Sequence, residues 1–120
     1  GVEGDHALVA RAKRNAERNG ISNAEFFMAD LAENQRDAAW AKRHYDRVLL
    51  DAARAGADKL IDWFPFKQVK RVVYVSCHPA SLARDCRQFC DRGYRLVKVQ
   101  PVDMSPQTYH VDAVVLLSRG

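Results

Sequence analysis

The sequence predicts an α/β sandwich whose sheet is mostly parallel and ends in an antiparallel hairpin. Apolar runs typical of strands alternate along the chain with segments that have helical spacing of apolar residues. The last two runs, YRLVKVQ (94–100) and DAVVLLS (112–118), are separated by 11 residues. That connection is too short for a helical crossover with its turns, so these two strands should pair antiparallel. The length of 120 residues is typical of one domain.

The first third of the chain predicts two helices around a short strand. A helix is expected over residues 5–19, where Asp5 can cap the start and Gly20 stands at the position of a helix stop. A short strand over residues 24–29 and a second helix over residues 31–43 should follow. Apolar side chains at helical spacing form one stripe along the first helix.

The middle of the chain predicts two buried strands, each followed by a helix. DRVLLD (46–51) and RVVYVS (71–76) are nearly continuous apolar runs, as expected of strands buried on both faces. Residues 57–64 favour a helix that stops before Pro65. A further helix should occupy residues 79–91, because proline is well suited to the first helical turn.

Composition limits the cellular setting and the partners. The net charge is +4 and the pI is about 9.2, which suits a polyanionic partner but fits a solvated basic surface equally well. Three cysteines, an odd number, argue against a disulfide framework and for a reducing compartment such as the cytoplasm. No apolar run approaches the roughly 18 residues of a membrane span. The first residues also lack the pattern of a secretory signal.

Residues with reactive or charged side chains collect at one predicted edge of the sheet. In such folds, ligands bind at the carboxyl ends of the parallel strands. The side chains at those ends are Glu3, Asp30, Asp51 and Cys77. Asp112 begins the last strand, which runs antiparallel, so it belongs to the same edge. Four acids and a thiol are more polar groups than a core needs, so this edge is the predicted functional site.

Cys77 has three interpretations on the residues alone: a small buried hydrophobe, a metal ligand or a nucleophile. A thiolate is a good nucleophile and leaving group, and a helix starting near Pro79 would favour the anion. A metal site from Cys77, His78, Cys86 and Cys90 matches no standard zinc spacing, so no metal is expected. Cys86 and Cys90 lie on the apolar stripe of their helix and are predicted to be core residues.

The acids at this edge have both ligand-binding and structural interpretations. A carboxylate after a second strand can accept both ribose hydroxyls, and Glu3 has that place if the residues before it form a strand. Asp30 can accept an adenine amino group or cap the helix predicted from residue 31. Asp51 precedes a loop that ends a buried strand. Asp112, two residues after His110, is a candidate general base.

Three segments resemble one enzyme family. VSCHPASLARD (75–85), LLDAARAGA (49–57) and DMSPQTYHVDAVVLLSRG (103–120) are similar to the uracil-5-methyltransferases that modify RNA with S-adenosylmethionine. The similarity is greatest to the branch that acts on bacterial 23S ribosomal RNA. It implies a Rossmann-like S-adenosylmethionine-dependent methyltransferase fold with RNA, 23S rRNA above all, as the partner.

The resemblance also implies roles for the residues at the sheet edge. The Cys77 thiolate would add to C6 of a uracil flipped out of its stack, and Asp112 would remove the C5 proton. Glu3, Asp30 and Asp51 would hold the cofactor, with Asp51 also near the target base. Two positions depart from the family pattern besides Asp112, where the family usually has glutamate. Ala52 replaces a usual proline, and His78 replaces a frequent asparagine.

The same resemblance implies that residues 1–120 are a partial catalytic domain. In the family, the first strand, the glycine-rich cofactor loop, an RNA-binding barrel and iron–sulfur cysteines precede the matched part. We therefore expect an N-terminally truncated sheet whose strand 46–51 has a free edge, through which the chain self-associates. An inactive fragment that only binds RNA or a partner is the alternative. A thiol-redox function is weaker, because no CxxC pair is present.

Overall fold

The computed structural model describes residues 1–103 and 112–120. Within these residues the chain forms three α-helices, six β-strands and one 3-10 turn. The helices are α1 (His6–Arg18), α2 (Asp58–Trp63) and α3 (Pro79–Asp91). The strands are β1 (Val2–Glu3), β2 (Phe27–Met28), β3 (Arg47–Asp51), β4 (Arg71–Ser76), β5 (Arg95–Val102) and β6 (Asp112–Ser118), and the 3-10 turn is Phe66–Gln68. None of these helices combines the length and the apolar character needed to cross a membrane.

The strands form two separate hydrogen-bonded sheets. The larger has the order β3-β4-β6-β5, in which β6 alone runs against the other three strands. The smaller consists of β1 and β2, which pair in parallel. The predicted α/β fold and the predicted antiparallel pairing of the last two strands are confirmed.

The helix ends follow the chemistry read from the sequence. The Asp5 side chain accepts hydrogen bonds from the Ala7 amide at 2.8 Å and the Leu8 amide at 3.4 Å, so it caps α1. Gly20 then has a φ of +66°, the left-handed conformation that glycine adopts without strain. Pro79 is the first residue of α3, as predicted.

The second helix predicted over residues 31–43 does not form. This segment is a series of turns, in which polar side chains accept hydrogen bonds from nearby backbone amides. Asp30 Oδ1 accepts from the Ala32 amide at 2.9 Å, and Asn34 Oδ1 accepts from the Arg36 amide at 2.9 Å. The Trp63 indole N–H donates a hydrogen bond to the Leu31 carbonyl at 3.1 Å. The apolar residues of this segment that are buried, Trp40 and Ala41, contact the core without forming a helix.

The expectation that β3 is buried on both faces is wrong. Leu50 is 8% exposed and packs into the core, whereas Leu49 on the opposite face is 67% exposed. The cause is the division of the sheet: β4 pairs with one edge of β3, and no described strand pairs with the other. A cavity of about 250 Å³ lies there, lined by Val2 of β1 as well as by Val48 and Leu49 of β3.

The core is packed between the four-stranded sheet and the helices. Phe89 of α3 makes edge-to-face contacts with Phe66 at 5.2 Å and with Tyr94 at 5.5 Å between ring centroids. The Tyr94 hydroxyl donates to the Phe66 carbonyl at 2.8 Å. This packing fixes α3 against the sheet, and α3 in turn fixes the residues that follow β4.

Candidate active site

Two of the predicted site residues lie at the adjoining ends of neighbouring strands. Cys77 follows β4 directly, and Asp112 is the first residue of β6. The antiparallel register ends with Ser76 opposite Ala113, so Cys77 and Asp112 are the residues next to this last pair. Opposed residues in antiparallel strands, such as Ser76 and Ala113, have Cα atoms about 5 Å apart. The sheet therefore brings the thiol and the carboxylate to one place, and both residues are half-buried.

Asp51 lies beside this pair on the next strand. It is the last residue of β3, where it pairs with Val75, two residues before Cys77. The chain leaving β3 is tied to β4 at once, because the Ala52 amide donates to the Val75 carbonyl at 3.1 Å. Neighbouring strands are about 4.8 Å apart, so Asp51, Cys77 and Asp112 occupy three adjacent strands at one edge. The Asp51 side chain is exposed at this edge. His110 lies outside the described residues.

A tight turn joins Cys77 to the start of α3. The Ser76 hydroxyl oxygen accepts from the His78 amide and lies 3.1 Å from the His78 carbonyl. His78 is the N-cap of α3, with its Nδ1 3.2 Å from the Ser81 amide. Asparagine is a common N-cap residue, and here the His78 imidazole caps the helix in its place. Cys77 thus stands immediately before the N-cap residue of a 13-residue helix.

The other two cysteines differ in their surroundings. Cys86 is half-buried against the core, and this burial raises the pKa of its thiol to about 11. Cys90 is exposed, so its predicted core position is wrong. Four residues advance an α-helix by slightly more than one turn, which carries Cys90 past the edge of the buried stripe. Neither thiol lies at the carboxyl edge of the sheet.

The raised pKa of Cys86 gives a chemical test. At pH 8 about one Cys86 thiol in a thousand is the reactive thiolate. We expect iodoacetamide at pH 8 to modify Cys90 well before Cys86, and the order can be read by peptide mass mapping over time. Equal rates for the two residues would contradict the burial of Cys86.

Glu3 and Asp30 stand at the ends of the two short strands. Glu3 ends β1, and its Oε1 accepts from the Asp5 amide at 3.2 Å. Asp30 follows β2 by two residues and holds a turn through Oδ1, without capping a helix. Both side chains are exposed, and each has a second carboxylate oxygen with no hydrogen bond inside the described ranges. Such oxygens fit the hydroxyl and amino groups of a nucleoside.

Metal binding has no support in the part of the chain that the structure describes. Across residues 1–103 and 112–120, no three histidine, cysteine or acidic side chains are grouped so that they could hold an ion. The three cysteines in these ranges are free thiols.

Sequence reasoning missed Asp85, which is fully buried and bound to the loop after Asp51. Its signal was present in the sequence. Asp85 lies three residues after Leu82 and four before Phe89, on the apolar face of α3. A carboxylate on such a face needs buried partners, and it finds them in the Tyr74 hydroxyl and the Ala57 amide.

Comparison with known proteins matches this arrangement to methyltransferases. The chain is 50% identical to the 23S rRNA (uracil(1939)-C(5))-methyltransferase RlmD of Stenotrophomonas maltophilia (strain R551-3), covering 99% of this chain and 27% of that protein. It is 49% identical to the RlmD protein of Xanthomonas oryzae pv. oryzae (strain MAFF 311018), with the same coverage. The chain therefore spans about a quarter of the length of these relatives.

Solved structures agree on the fold. The tRNA (uracil-54, C5)-methyltransferase of Pyrococcus abyssi, in complex with S-adenosyl-L-homocysteine, superposes with a TM-score of 0.81 at 31% identity. The match covers 98% of this chain and 28% of that one. The precorrin-6y C5,15-methyltransferase of Geobacter metallireducens superposes with a TM-score of 0.73 at 15% identity, covering 99% of this chain and 65% of that one, and shares the fold alone. The fold is the Rossmann-like fold of S-adenosylmethionine-dependent methyltransferases.

The family assignment follows from the extent of the sequence match. The profile described as tRNA (Uracil-5-)-methyltransferase matches residues 3–120. Those residues include every strand end at the candidate site, from Glu3 to Asp112. Because the match spans nearly the whole chain, the protein belongs to the tRNA (uracil-5-)-methyltransferase family.

Proposed function

We propose that this chain carries the nucleophile and the general base for methylation of uridine C5 in RNA, with 23S rRNA as the substrate. The observation that carries the proposal is the register that pairs Ser76 with Ala113 and so brings Cys77 and Asp112 to the same end of neighbouring strands. A thiol and a carboxylate on adjacent strands can act on the two neighbouring carbons of one uracil ring. The 50% identity to a 23S rRNA methyltransferase supports the choice of substrate.

Cys77 acts first, as a thiolate. It adds to C6 of a uracil that has left its stack, forming an S–C6 bond and pushing electron density onto C5. A half-buried thiol is accessible to a flipped base.

Asp112 acts after C5 has gained the methyl group. Its carboxylate removes the C5 proton, the electron pair restores the C5–C6 double bond, and the S–C6 bond breaks to release the Cys77 thiolate. Addition and elimination occur at C6 and proton removal at C5, so the two side chains need to reach adjacent ring atoms. Their positions at the adjoining ends of β4 and β6 support this division of roles.

Three carboxylates fit the cofactor. S-adenosylmethionine, when bound, supplies the methyl group. Glu3 is placed to accept hydrogen bonds from the ribose hydroxyls, and Asp30 to accept one from the adenine amino group. Asp51, at the end of β3, lies between these two acids and Cys77 along the chain. Asp51 binds the cofactor together with Glu3 and Asp30 and lies near the target base.

A trapping experiment tests the proposed function. The 120 residues are joined to the N-terminal part of the Stenotrophomonas maltophilia relative, replacing its matching segment. RNA containing 5-fluorouridine is then added with S-adenosylmethionine. Because a base cannot remove fluorine from C5 as it removes a proton, elimination is blocked, and we expect a covalent adduct that maps to Cys77. An adduct at another residue would overturn the role of Cys77, and RNA binding without any adduct would support an inactive binding module instead.

The free edge of β3 forms the second part of the proposal. The backbone on this side of β3 is unpaired within the described residues, and the exposed Leu49 lines the cavity between the two sheets. In a longer protein of this family, a further strand of the same domain occupies this position. In the 120 residues alone, the edge pairs with a second copy.

Self-association should therefore depend on protein concentration. Over a hundredfold range, we expect sedimentation to show a rising average mass and the melting temperature to rise with it. Leu49→Lys places a charge on the β3 edge and should return the chain to a monomer. Leu96→Lys, on the opposite edge strand β5, is the matched control and should not. A monomer at every concentration would contradict pairing through β3.

A further inference from the structure

The loop between β3 and α2 is held by one face of helix α3. This loop, residues 52–57, makes three backbone hydrogen bonds to side chains from two successive turns of that helix. They run from Ser81 Oγ to the Arg54 carbonyl at 2.8 Å, from Arg84 Nη2 to the Ala55 carbonyl at 2.7 Å, and from the Ala57 amide to Asp85 Oδ2 at 2.7 Å. Each bond engages a main-chain group, so the loop is fixed whatever its side chains do.

Asp85 is the centre of these contacts and has no exposed surface. Besides the Ala57 amide, it accepts hydrogen bonds from the Tyr74 hydroxyl and from Arg84 Nε at 3.1 Å. Burial, followed by the hydrogen bond to Asp85, raises the pKa of Tyr74, so the phenol stays a donor. A buried carboxylate is costly unless all its partners are present. The loop amide is one of those partners, so moving the loop would leave the charge under-satisfied.

Gly56 brings the loop backbone directly against the helix. Its φ of +87° is a conformation that side chains rarely adopt. A Cβ atom at this position would lie 2.4 Å from Arg84 Nη2 and 2.6 Å from Asp85 Oδ2. The loop and the helix therefore meet without a gap, and only glycine fits between them.

The same face of α3 also touches the turn that carries the nucleophile. Ser81 Oγ, which binds the Arg54 carbonyl, lies 2.8 Å from Nδ1 of His78, the residue after Cys77. At its start, the loop follows Asp51 and is bound to β4 through the Ala52 amide. One helix face thus connects the loop after Asp51 with the turn after Cys77.

We propose that Ser81, Arg84 and Asp85 are positioning residues that fix Asp51 relative to Cys77. The inference rests on the proposed function, since it assigns these residues to the geometry of that reaction. None of the three contacts a substrate; they act through the loop. A displacement of about 1 Å in reacting groups can lower a rate about a hundredfold, which is the scale of effect expected when the loop moves.

Gly56→Ala tests the inference against a matched glycine. Gly20 also has a positive φ, +66°, but a Cβ atom added there would meet no other atom within 4 Å, so Gly20→Ala adds strain without displacing α3. In the chimera with the Stenotrophomonas maltophilia segment, we expect Gly56→Ala to lower kcat about a hundredfold with KM for RNA changed less than about twofold. Gly20→Ala should leave both constants within about twofold. Equal effects of the two variants would overturn the positioning role.

A second readout does not require methylation. In the 120-residue chain, the rate of Cys77 alkylation by iodoacetamide reports the position of the turn that Ser81 contacts through His78. We expect Gly56→Ala to change this rate at least threefold, and Gly20→Ala to leave it unchanged. Unchanged rates in both variants would overturn the inference. An inactive parent chimera with the expected alkylation pattern would instead count against the proposed function.

Ser81→Ala covers the case in which Gly56→Ala does not fold. It removes one hydroxyl, and with it the bond to the Arg54 carbonyl, while Asp85 keeps its partners. We expect kcat to fall about tenfold at an unchanged KM, with a circular dichroism spectrum like that of the parent. A change in KM alone would overturn the positioning role.

Discussion

Cys77→Ala is expected to abolish methyl transfer to RNA while leaving the fold intact. The variant removes the thiol that we propose forms the bond to C6. Replacing a half-buried thiol with a methyl group should cost no more than about 1 kcal/mol in the free energy of unfolding. Transfer of a radiolabelled methyl group by the chimera, together with its thermal melt, measures both effects.

The other cysteines provide the controls. Cys90→Ala changes an exposed thiol on α3 and should retain the activity of the parent. Cys86→Ala removes a half-buried thiol and should lower the melting temperature more than it lowers the turnover of the folded protein. Residual turnover above a few per cent in Cys77→Ala would remove Cys77 from the role of nucleophile.

Asp112→Asn should stop the reaction at a different point. Addition at C6 and methylation at C5 do not need the base, but removal of the C5 proton does. We therefore expect a methylated, covalent protein–RNA adduct to accumulate, visible as a slow band on a denaturing gel. The same band should be absent in Cys77→Ala, which cannot form the bond.

Two further variants decide whether this effect belongs to Asp112. Asp103→Asn removes an exposed carboxylate just after β5 and should turn over normally. Asp112→Glu keeps the carboxylate and adds one methylene group, the length that is usual at this position in the family, and should accumulate no adduct. Normal turnover by Asp112→Asn would place the base elsewhere.

The elements that sequence predicted well are those whose signals are local. β4 and β6 have the predicted bounds, because a continuous apolar run is what a central strand needs on both faces. The start of α3 was indicated by Pro79. The turns over residues 31–43 could not be foreseen in the same way. There, the Trp63 indole N–H donates a hydrogen bond to the Leu31 carbonyl, and the two residues are 32 positions apart in the sequence.

For the candidate site, too, local features could be predicted from the sequence and non-local ones could not. Its residues could be named from the ends of apolar runs, which is why Cys77, Asp51 and Asp112 were found at one edge. Their mutual register depends on how β6 inserts between β4 and β5, a non-local pairing. Asp85 stood out by its place on the apolar face of α3, but its contacts could not be predicted, because its partners, Tyr74 and the Ala57 amide, come from other elements.

The central place of β6 has a consequence for synthesis on the ribosome. Of the four strands in the larger sheet, β6 is translated last, yet it lies between β4 and β5. Until residues 112–118 emerge, β4 and β5 have no strand to join them, and the nucleophile has no base beside it. Chains are made at about 5–20 residues per second, so this period is short, but the apolar edge of β4 is exposed throughout it. A ribosome that stalls before β6 therefore leaves a product prone to aggregation and without the Cys77–Asp112 pair.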